Sequence, residues 1–131
     1  MLEHTIEIRV RYQETDGQGR VHHANYLTYF EQGRIELLRT LGKSYRDLEA
    51  SGIMLVVSEM SVRYHSAAVF DDLLQVTTRA VEARGARIRH EYTVRCEGKL
   101  LVEGQSTVAC INREGRVTRL PDFLLEGKAD Q

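Results

Sequence analysis

The chain has 131 residues, of which 42% are hydrophobic and 28% are charged, and its formal net charge is −1. This length gives room for one domain with its own core, so we expect a single domain over residues 1–131. An ordinary composition without excess positive charge excludes a disordered chain, and it excludes a molecule drawn in bulk to nucleic acid or to an anionic membrane.

The first predicted elements are a strand, a loop and a long helix. Alternating apolar residues predict a strand over Thr5–Tyr12. Residues Gln13–Asn25 have no apolar period and contain two glycines, which indicates a loop. A helical period then predicts a helix over Asn25–Leu41 that ends at Gly42. Gly33 lies inside this helix and costs about 1 kcal/mol relative to Ala unless something packs closely there.

The remainder of the chain is predicted to be β after one short helix. Ser44 followed by Asp47 resembles a capping box and predicts a short helix that reaches Ser51. Runs rich in Val, Ile, Thr and Tyr, separated by glycine-containing turns, predict the strands. These strands are Ile53–His65, Leu73–Ala83, Ala86–Glu97, Leu100–Arg113 and a short piece over Val117–Leu120. The order predicts an α+β fold, with the long helix across the concave face of an antiparallel sheet.

The predicted sheet and the cysteines carry two further expectations. An antiparallel sheet of this size has an exposed edge unless another copy pairs with it, so we expect at least a homodimer. Cys96 and Cys110 each lie in a strand-like run, and no secretory signal is evident at the start of the sequence. They are therefore expected to be free, buried thiols of a cytoplasmic protein.

The loop before the long helix contains the residues best suited to chemistry. Asp16 lies in its glycine-containing part, and a fold-back of the loop would bring this acid beside the helix start. Backbone N–H groups lack partners there and favour negative charge, which is the layout of an oxyanion hole facing a carboxylate. His23 could then orient water or transfer a proton. On spacing alone, a turn or helix cap formed by Asp16 is the commoner alternative.

Two segments of the chain match a family pattern. The first, over residues 12–27, reads Tyr-x-x-Thr-Asp-x-x-Gly-x-Val-x-His-Ala-Asn-Tyr-Leu, and the second has Val62-x-Tyr64 followed by Phe70-Asp71-Asp72-Leu73. Together they resemble the 4-hydroxybenzoyl-CoA thioesterase family of hotdog-fold proteins. With the strand order, the resemblance covers about residues 5 to 120. It implies a long helix wrapped by an antiparallel sheet of about five strands.

The resemblance implies an acyl-CoA thioesterase that works without a metal or another cofactor. The family's catalytic acid corresponds to Asp16, and its oxyanion donor corresponds to the backbone N–H of His23. The His23 side chain is similar to the branch that includes bacterial short-chain acyl-CoA thioesterases. Whether Asp16 attacks the thioester carbonyl or acts as general base stays open.

Further positions follow from the resemblance as substrate-binding candidates. Arg84 and Arg87 flank a glycine at the turn where relatives contact the CoA phosphates, although a solvated turn is an equal alternative. Ser58 and Glu59 correspond to a strand that lines the neighbouring subunit's pocket, although ordinary strand residues are the commoner case. Tyr26, Tyr29 and Phe30 could line an aromatic or short aliphatic acyl pocket, although aromatic residues of a helix more often belong to the core.

Other features weaken or broaden this assignment. The chain reads His65-Ser66-Ala67 where the family usually has a Pro-Ala pair, so the pocket can differ there. His22 and His23 are adjacent without accompanying zinc-ligand spacing, so no metal site is expected. Glu31 and Arg34 are predicted to form an ion pair on one helix face.

Two other functions use the same fold. A thioesterase acting on acyl groups of an acyl carrier protein would suit the 15 arginines, because an acidic carrier would favour an Arg-rich rim. A non-enzymatic acyl-CoA-binding protein is the third hypothesis, and the acid at position 16 argues against it. The expected assembly is a dimer or a dimer of dimers, that is, a homotetramer.

Overall fold

The computed structural model describes residues 2–125, so the predicted domain over residues 1–131 extends past the described residues at both ends. Within them, one long helix packs on a five-stranded antiparallel sheet. The elements in chain order are β1 Leu2–Arg9, α1 Asn25–Arg39, α2 Tyr45–Ala50, β2 Met54–Tyr64, β3 Leu73–Arg84, β4 Arg87–Cys96 and β5 Lys99–Ile111, with short 3-10 turns at Tyr12–Glu14 and Asp122–Leu124. The predicted α+β class and strand number are confirmed. None of the helices in residues 2–125 is long and apolar enough to cross a membrane.

The strand order is β1-β3-β4-β5-β2, and every neighbouring pair is antiparallel. The three strands β3, β4 and β5 follow one another through tight turns. In contrast, β2 does not pair with β3, the next strand in the chain. It pairs with β5 at the far edge of the sheet. The sheet edges are therefore β1 and β2, the two strands that flank the helices in the sequence.

Helix α1 lies very close to the sheet at one position, Gly33. A Cβ built there would lie 2.2 Å from Oγ1 of Thr78 on β3. The fully buried rings of Tyr29 and Phe30 pack into the same layer, where Phe30 stacks on Tyr92 with ring centroids 4.3 Å apart. The sequence predicted that Gly33 would be unfavourable unless something packs closely on it. The contact with Thr78 is such close packing, and it offsets the low helix propensity of glycine.

The predicted end of the first strand is wrong. Strand β1 ends at Arg9, where its pairing with β3 stops, and Tyr12 lies in a 3-10 turn. The Tyr12 side chain is 73% exposed and stacks on Phe70 instead of entering the core. The strand also starts earlier than predicted, because Leu2 already pairs with Ala80.

Other boundaries agree more closely, with two corrections. Ser44 accepts a hydrogen bond from the Asp47 N–H at 3.1 Å, which confirms the predicted cap of α2. The short piece after β5 is no strand, because Val117 forms only a single bridge with Ile111. Both cysteines are free thiols, but only Cys110 is fully buried, whereas Cys96 is partly exposed at the end of β4.

Candidate active site

The Asp16 side chain closes the loop in which it lies. Its Oδ1 accepts the backbone N–H groups of Gln18 at 2.8 Å and Arg20 at 3.3 Å. The hydrogen bond from Gln18 lowers the pKa of the Asp16 carboxyl below its ordinary value, so the group is ionised at neutral pH. Among residues 2–125, no donor is bonded to Oδ2, which leaves this oxygen free to react.

A second carboxylate, that of Glu14, anchors the same loop to helix α1. It is 5% exposed and accepts the Tyr29 hydroxyl and the Arg11 N–H, each at 2.9 Å. The Arg11 guanidinium lies 3.2 Å from its other oxygen. Burial raises the pKa of Glu14, but the hydrogen bonds from Arg11 and Tyr29 outweigh burial and leave the pKa below its ordinary value. Glu14 therefore holds the loop in place as a carboxylate.

The chain between this loop and α1 is bonded on both sides of His23. The His22 N–H donates to the Glu14 carbonyl at 2.8 Å, and the Tyr64 hydroxyl donates to the His23 carbonyl at 2.8 Å. The Ala24 N–H donates to Nδ1 of His22 at 3.1 Å. Within the described part of the chain, the His23 N–H has no acceptor. It is thus an available donor at the helix start.

These groups open onto one cleft of about 300 Å³, named here the Asp16 cleft. The cleft lies between the loop, the first turn of α1 and the end of β2, and its lining includes Asp16, His23, Tyr26, Tyr64 and His65. The structure therefore brings together three of the predicted site residues. Among residues 2–125, no hydrogen bond joins the Asp16 and His23 side chains.

The two predicted phosphate contacts lie elsewhere. Arg84 and Arg87 face each other across the β3–β4 turn. The Asp16 loop lies at the opposite end of β3, where the Val21 N–H donates to the Ala68 carbonyl. Strand β3 has 12 residues, so about 36 Å separates its two ends. Within one chain, these arginines do not reach the Asp16 cleft.

The other two predicted contacts, Ser58 and Glu59, lie on the edge strand β2. The register of β2 shifts between Val57 and Glu59, and the Ser58 hydroxyl donates to the Thr107 carbonyl at 3.1 Å. Glu59 lines a separate depression of about 200 Å³ between β2, β4 and β5. Neither residue lines the Asp16 cleft of its own chain, so their role in substrate binding stays a prediction that requires a second copy.

The sequence matches the model of the thioesterase-like superfamily over residues 10–127. The chain belongs to this superfamily. The acyl-CoA thioesterase YbgC of Haemophilus influenzae is 39% identical over 109 residues, which cover 82% of this chain and 80% of the relative. The predicted family of hotdog thioesterases and the predicted enzyme class, a hydrolase acting on thioester bonds, are confirmed.

Solved structures of other thioesterases share the fold. A probable thioesterase from Bartonella henselae is 37% identical with a TM-score of 0.87, and the match covers 91% of this chain and 99% of that one. A DHNA-CoA thioesterase from Staphylococcus aureus is 32% identical with a TM-score of 0.88, covering 92% of this chain and 82% of that one. The hotdog architecture of this thioesterase is thereby confirmed.

The thioesterase has a second polar cluster beneath the middle of α1. Arg34 is 9% exposed and donates to the Tyr92 hydroxyl at 2.9 Å, which in turn bonds to Ser106. The predicted ion pair between Glu31 and Arg34 is wrong, because the guanidinium turns inward to the sheet. Burial, with a further contribution from the Arg34 charge, lowers the pKa of the neighbouring His90 to about 3.

The departure from the family at His65 lies directly at the site. His65 follows β2, lines the Asp16 cleft and contacts Glu103 through Nε2 at 2.9 Å. A proline at this position could not form that pair. The expectation that this segment shapes the pocket therefore has a structural basis in the thioesterase.

The sequence assigned no role to Glu14 or Tyr64, although both shape the site; Tyr29 was a candidate for the pocket wall, and its hydroxyl instead bonds to Glu14. Glu14 and Tyr29 lie 15 residues apart, and no local period connects them. A signal for Tyr64 was present, because it shares the alternation of Met60 and Val62 on β2 and therefore faces the helix side. The described residues contain no cluster of three or more His, Cys, Asp or Glu side chains able to hold a metal.

Proposed function

We propose that this protein hydrolyses acyl-CoA thioesters in the Asp16 cleft. One observation carries the proposal: within residues 2–125, the ionised Asp16 carboxylate has an unbonded oxygen, the His23 N–H has no acceptor, and both residues line the same cleft. The names of its relatives support the substrate class, since the YbgC relative is an acyl-CoA thioesterase. The fold and the family agree with this chemistry.

In the proposed reaction, the cleft supplies three groups to the thioester. Oδ2 of Asp16 either attacks the carbonyl carbon or removes a proton from the attacking water. In both cases negative charge develops on the carbonyl oxygen, where the His23 N–H donates a hydrogen bond. Collapse of the tetrahedral species breaks the C–S bond and expels CoA thiolate, which takes up a proton. Where Asp16 has attacked, water then hydrolyses the mixed anhydride to the free acid and restores the Asp16 carboxylate. The His23 side chain orients the water or transfers that proton.

The acyl group of the proposed substrate is short-chain or aromatic. The Asp16 cleft has a volume of about 300 Å³, and the buried ring of Tyr26 forms part of its wall. Such a small space with an aromatic wall favours a compact acyl group over a long chain. We assign Tyr26 to acyl binding. The Staphylococcus aureus neighbour is named for an aromatic acyl-CoA, which supports the aromatic alternative.

We also propose that two copies complete the binding site. Strand β2 is an unpaired edge that exposes Met54, Val56 and Val57, as expected of a strand covered by another chain. In a homodimer or a dimer of dimers, a second copy could bring Arg84 and Arg87 to the CoA phosphates that one chain leaves distant. The residues Ser58 and Glu59 on β2 would then lie at the shared boundary.

The free thiols support a cytoplasmic location.

An acyl carrier protein remains the alternative acyl donor. A curated relative from Arabidopsis thaliana, 27% identical over 92% of this chain and 65% of its own length, is named an acyl-acyl carrier protein thioesterase. Comparing turnover of one acyl group on CoA and on the carrier protein separates the two. A carrier-bound substrate hydrolysed much faster than its CoA counterpart would move the assignment to the carrier.

The first experiment measures thiol release from short aliphatic, long aliphatic and aromatic acyl-CoAs, with wild type beside Asp16→Asn. We expect the substitution to lower kcat by about 10³-fold without unfolding the protein, because the amide can neither attack nor accept the proton. Asp47→Asn, at an exposed position on α2, is the matched control and should keep wild-type turnover. Full activity of Asp16→Asn would overturn the proposed site, and binding of acyl-CoA without thiol release would favour a binding role.

A further inference from the structure

The peptide groups around His23 are held by two elements that are distant in the sequence. On one side, the Glu14 carbonyl accepts the His22 N–H at 2.8 Å. On the other side, the Tyr64 hydroxyl donates to the His23 carbonyl at 2.8 Å across 41 residues of chain. The His23 N–H lies between these two bonds. The His22 carbonyl, which shares a peptide plane with this N–H, accepts the Asn25 N–H at 2.9 Å, so three bonds hold the backbone that carries it.

Tyr64 reaches this point because of its place at the end of β2. It pairs with Val102 on β5, and its ring meets the Tyr26 ring edge-on with centroids 5.7 Å apart. The side chain is 48% exposed and lines the Asp16 cleft. Burial raises the pKa of Tyr64 above its ordinary value, so the hydroxyl retains its proton and can donate.

We propose that Tyr64 is a positioning residue for thioester hydrolysis: its hydroxyl holds the His23 carbonyl and thereby aims the His23 N–H at the thioester oxygen. This inference rests on the proposed function of the cleft. The Tyr64 hydroxyl donates its hydrogen to the His23 carbonyl, so Tyr64 acts through His23 and not on the reacting atoms.

A bond of this kind matters more to catalysis than to folding. It is solvent-accessible, and water can replace it at little cost to stability. An oxyanion donor, however, must lie within about 2.7–3.1 Å of the charged oxygen, and a misplacement of about 1 Å can lower the rate by about 10²-fold. Loss of the hydroxyl leaves the Glu14 and Asn25 bonds but frees the His23 carbonyl, so His23 and its N–H sample other positions.

The test removes the hydroxyl and keeps the ring. Tyr64→Phe is expected to lower kcat for acyl-CoA by about tenfold to a hundredfold, with KM within about twofold of wild type. Its melting curve and circular dichroism should match those of wild type. The control Tyr45→Phe loses a hydroxyl far from the cleft, beside Arg34, and should retain wild-type kcat and KM.

A spectroscopic measurement reports the donor directly. In a ketone analogue of acyl-CoA with CH₂ in place of sulfur, a hydrogen bond from the His23 N–H lowers the carbonyl stretching frequency. We expect most of this shift to disappear in Tyr64→Phe. An analogue that has a thioether and no carbonyl should bind wild type and Tyr64→Phe equally, because it does not use the donor.

The outcomes separate this inference from the proposed function. If Asp16→Asn is inactive while Tyr64→Phe keeps the wild-type kcat and carbonyl frequency, Tyr64 has no positioning role. Hydrolysis that is unaffected by Asp16→Asn overturns the cleft as the active site and the role of Tyr64 with it. A change in KM alone, with the carbonyl shift intact, would make Tyr64 a substrate contact and contradict the inference.

Discussion

Helix α1 carries two polar clusters, one at its first turn and one beneath its middle, and they differ in their access to solvent. At the first turn, Asp16 and His23 border a cleft, and in the described part of the chain no protein group bonds to Oδ2 of Asp16 or to the His23 N–H. Beneath the middle, Arg34 and His90 are buried against the sheet, and the guanidinium bonds to Tyr92. The first cluster is open to a ligand and the second is closed.

The difference separates residues that act from residues that hold the scaffold. In the open cluster, the buried Glu14 anchors the loop through its hydrogen bonds with Arg11 and Tyr29. The Asp16 carboxylate in the same loop therefore remains available to a ligand. In the closed cluster Arg34 bonds to Tyr92, whereas the buried Nδ1 of His90 has no hydrogen-bond partner among the described residues. Substitutions in the closed cluster should therefore change stability first, and substitutions in the open cluster should change turnover first.

The largest stability effect is expected from Gly33→Ala, where helix α1 packs against strand β3. The new Cβ would lie 2.2 Å from Oγ1 of the buried Thr78, so the substitution should lower the free energy of unfolding by about 3 kcal/mol. Denaturant unfolding measures it, with Gly17→Ala as control, because a Cβ at Gly17 meets nothing within 4 Å. Thr78→Ala added to Gly33→Ala should recover part of the loss. An unchanged midpoint would mean that the helix lies farther from the sheet.

The next effect concerns acid and follows from His90. Its pKa is about 3 in the folded protein against 6.5 for the ordinary group, so lowering the pH below 6.5 protonates the unfolded chain first. The free energy of unfolding should fall by about 2 kcal/mol from this group between pH 7 and pH 5. His90→Phe should flatten that part of the pH profile. A slope that is identical in wild type and variant would contradict a buried neutral histidine.

Between pH 7 and pH 5, the Asp16 carboxylate of the open cluster should stay ionised. The pKa of Asp16 lies below its ordinary value of 3.8, so Asp16 remains ionised at pH 5. Acid loss of turnover from protonation of this group should therefore begin at a lower pH than the stability loss from His90. A pH-rate profile of the folded enzyme, measured beside the unfolding profile, compares the two clusters directly.

The smallest effect is expected from Glu14→Gln at the anchor of the open cluster. The variant loses a charge-assisted pair with Arg11 in a buried place, which should cost about 1 kcal/mol of stability and lower kcat several-fold. Glu36→Gln removes an exposed pair with Arg39 at the same spacing, and it should change stability by less than about 0.5 kcal/mol. Equal effects of the two variants would show that burial of Glu14 adds nothing.

Much of the fold was readable from the sequence because it is written in local periods. Runs rich in Val, Ile, Thr and Tyr between glycine-containing turns predicted all four long strands to within two residues at each end, and the polar signal of Ser44 predicted the cap of α2. The strand end at Tyr12 was missed because alternation continues past the last paired residue, Arg9. A period describes which residues share a face, but it does not state where the partner strand stops.

The candidate site likewise contains residues that the sequence predicted and contacts that it did not. The family pattern placed Asp16, His23 and Tyr26 on one short stretch, and the fold brings these three to one cleft. The inward turn of Arg34 was not predictable, because spacing on a helix offers Glu31 as a partner while burial against the sheet offers Tyr92.

The helices and strands, the family and the candidate acid Asp16 could be inferred from the sequence, because they depend on neighbouring residues and their spacing. The pairing of β2 with β5 at the far edge of the sheet became known only from the fold. That pairing carries Tyr64 to the His23 carbonyl and leaves Arg84 at the other end of the sheet. Such contacts join residues tens of positions apart, and they depend on strand order and register, which local patterns do not encode.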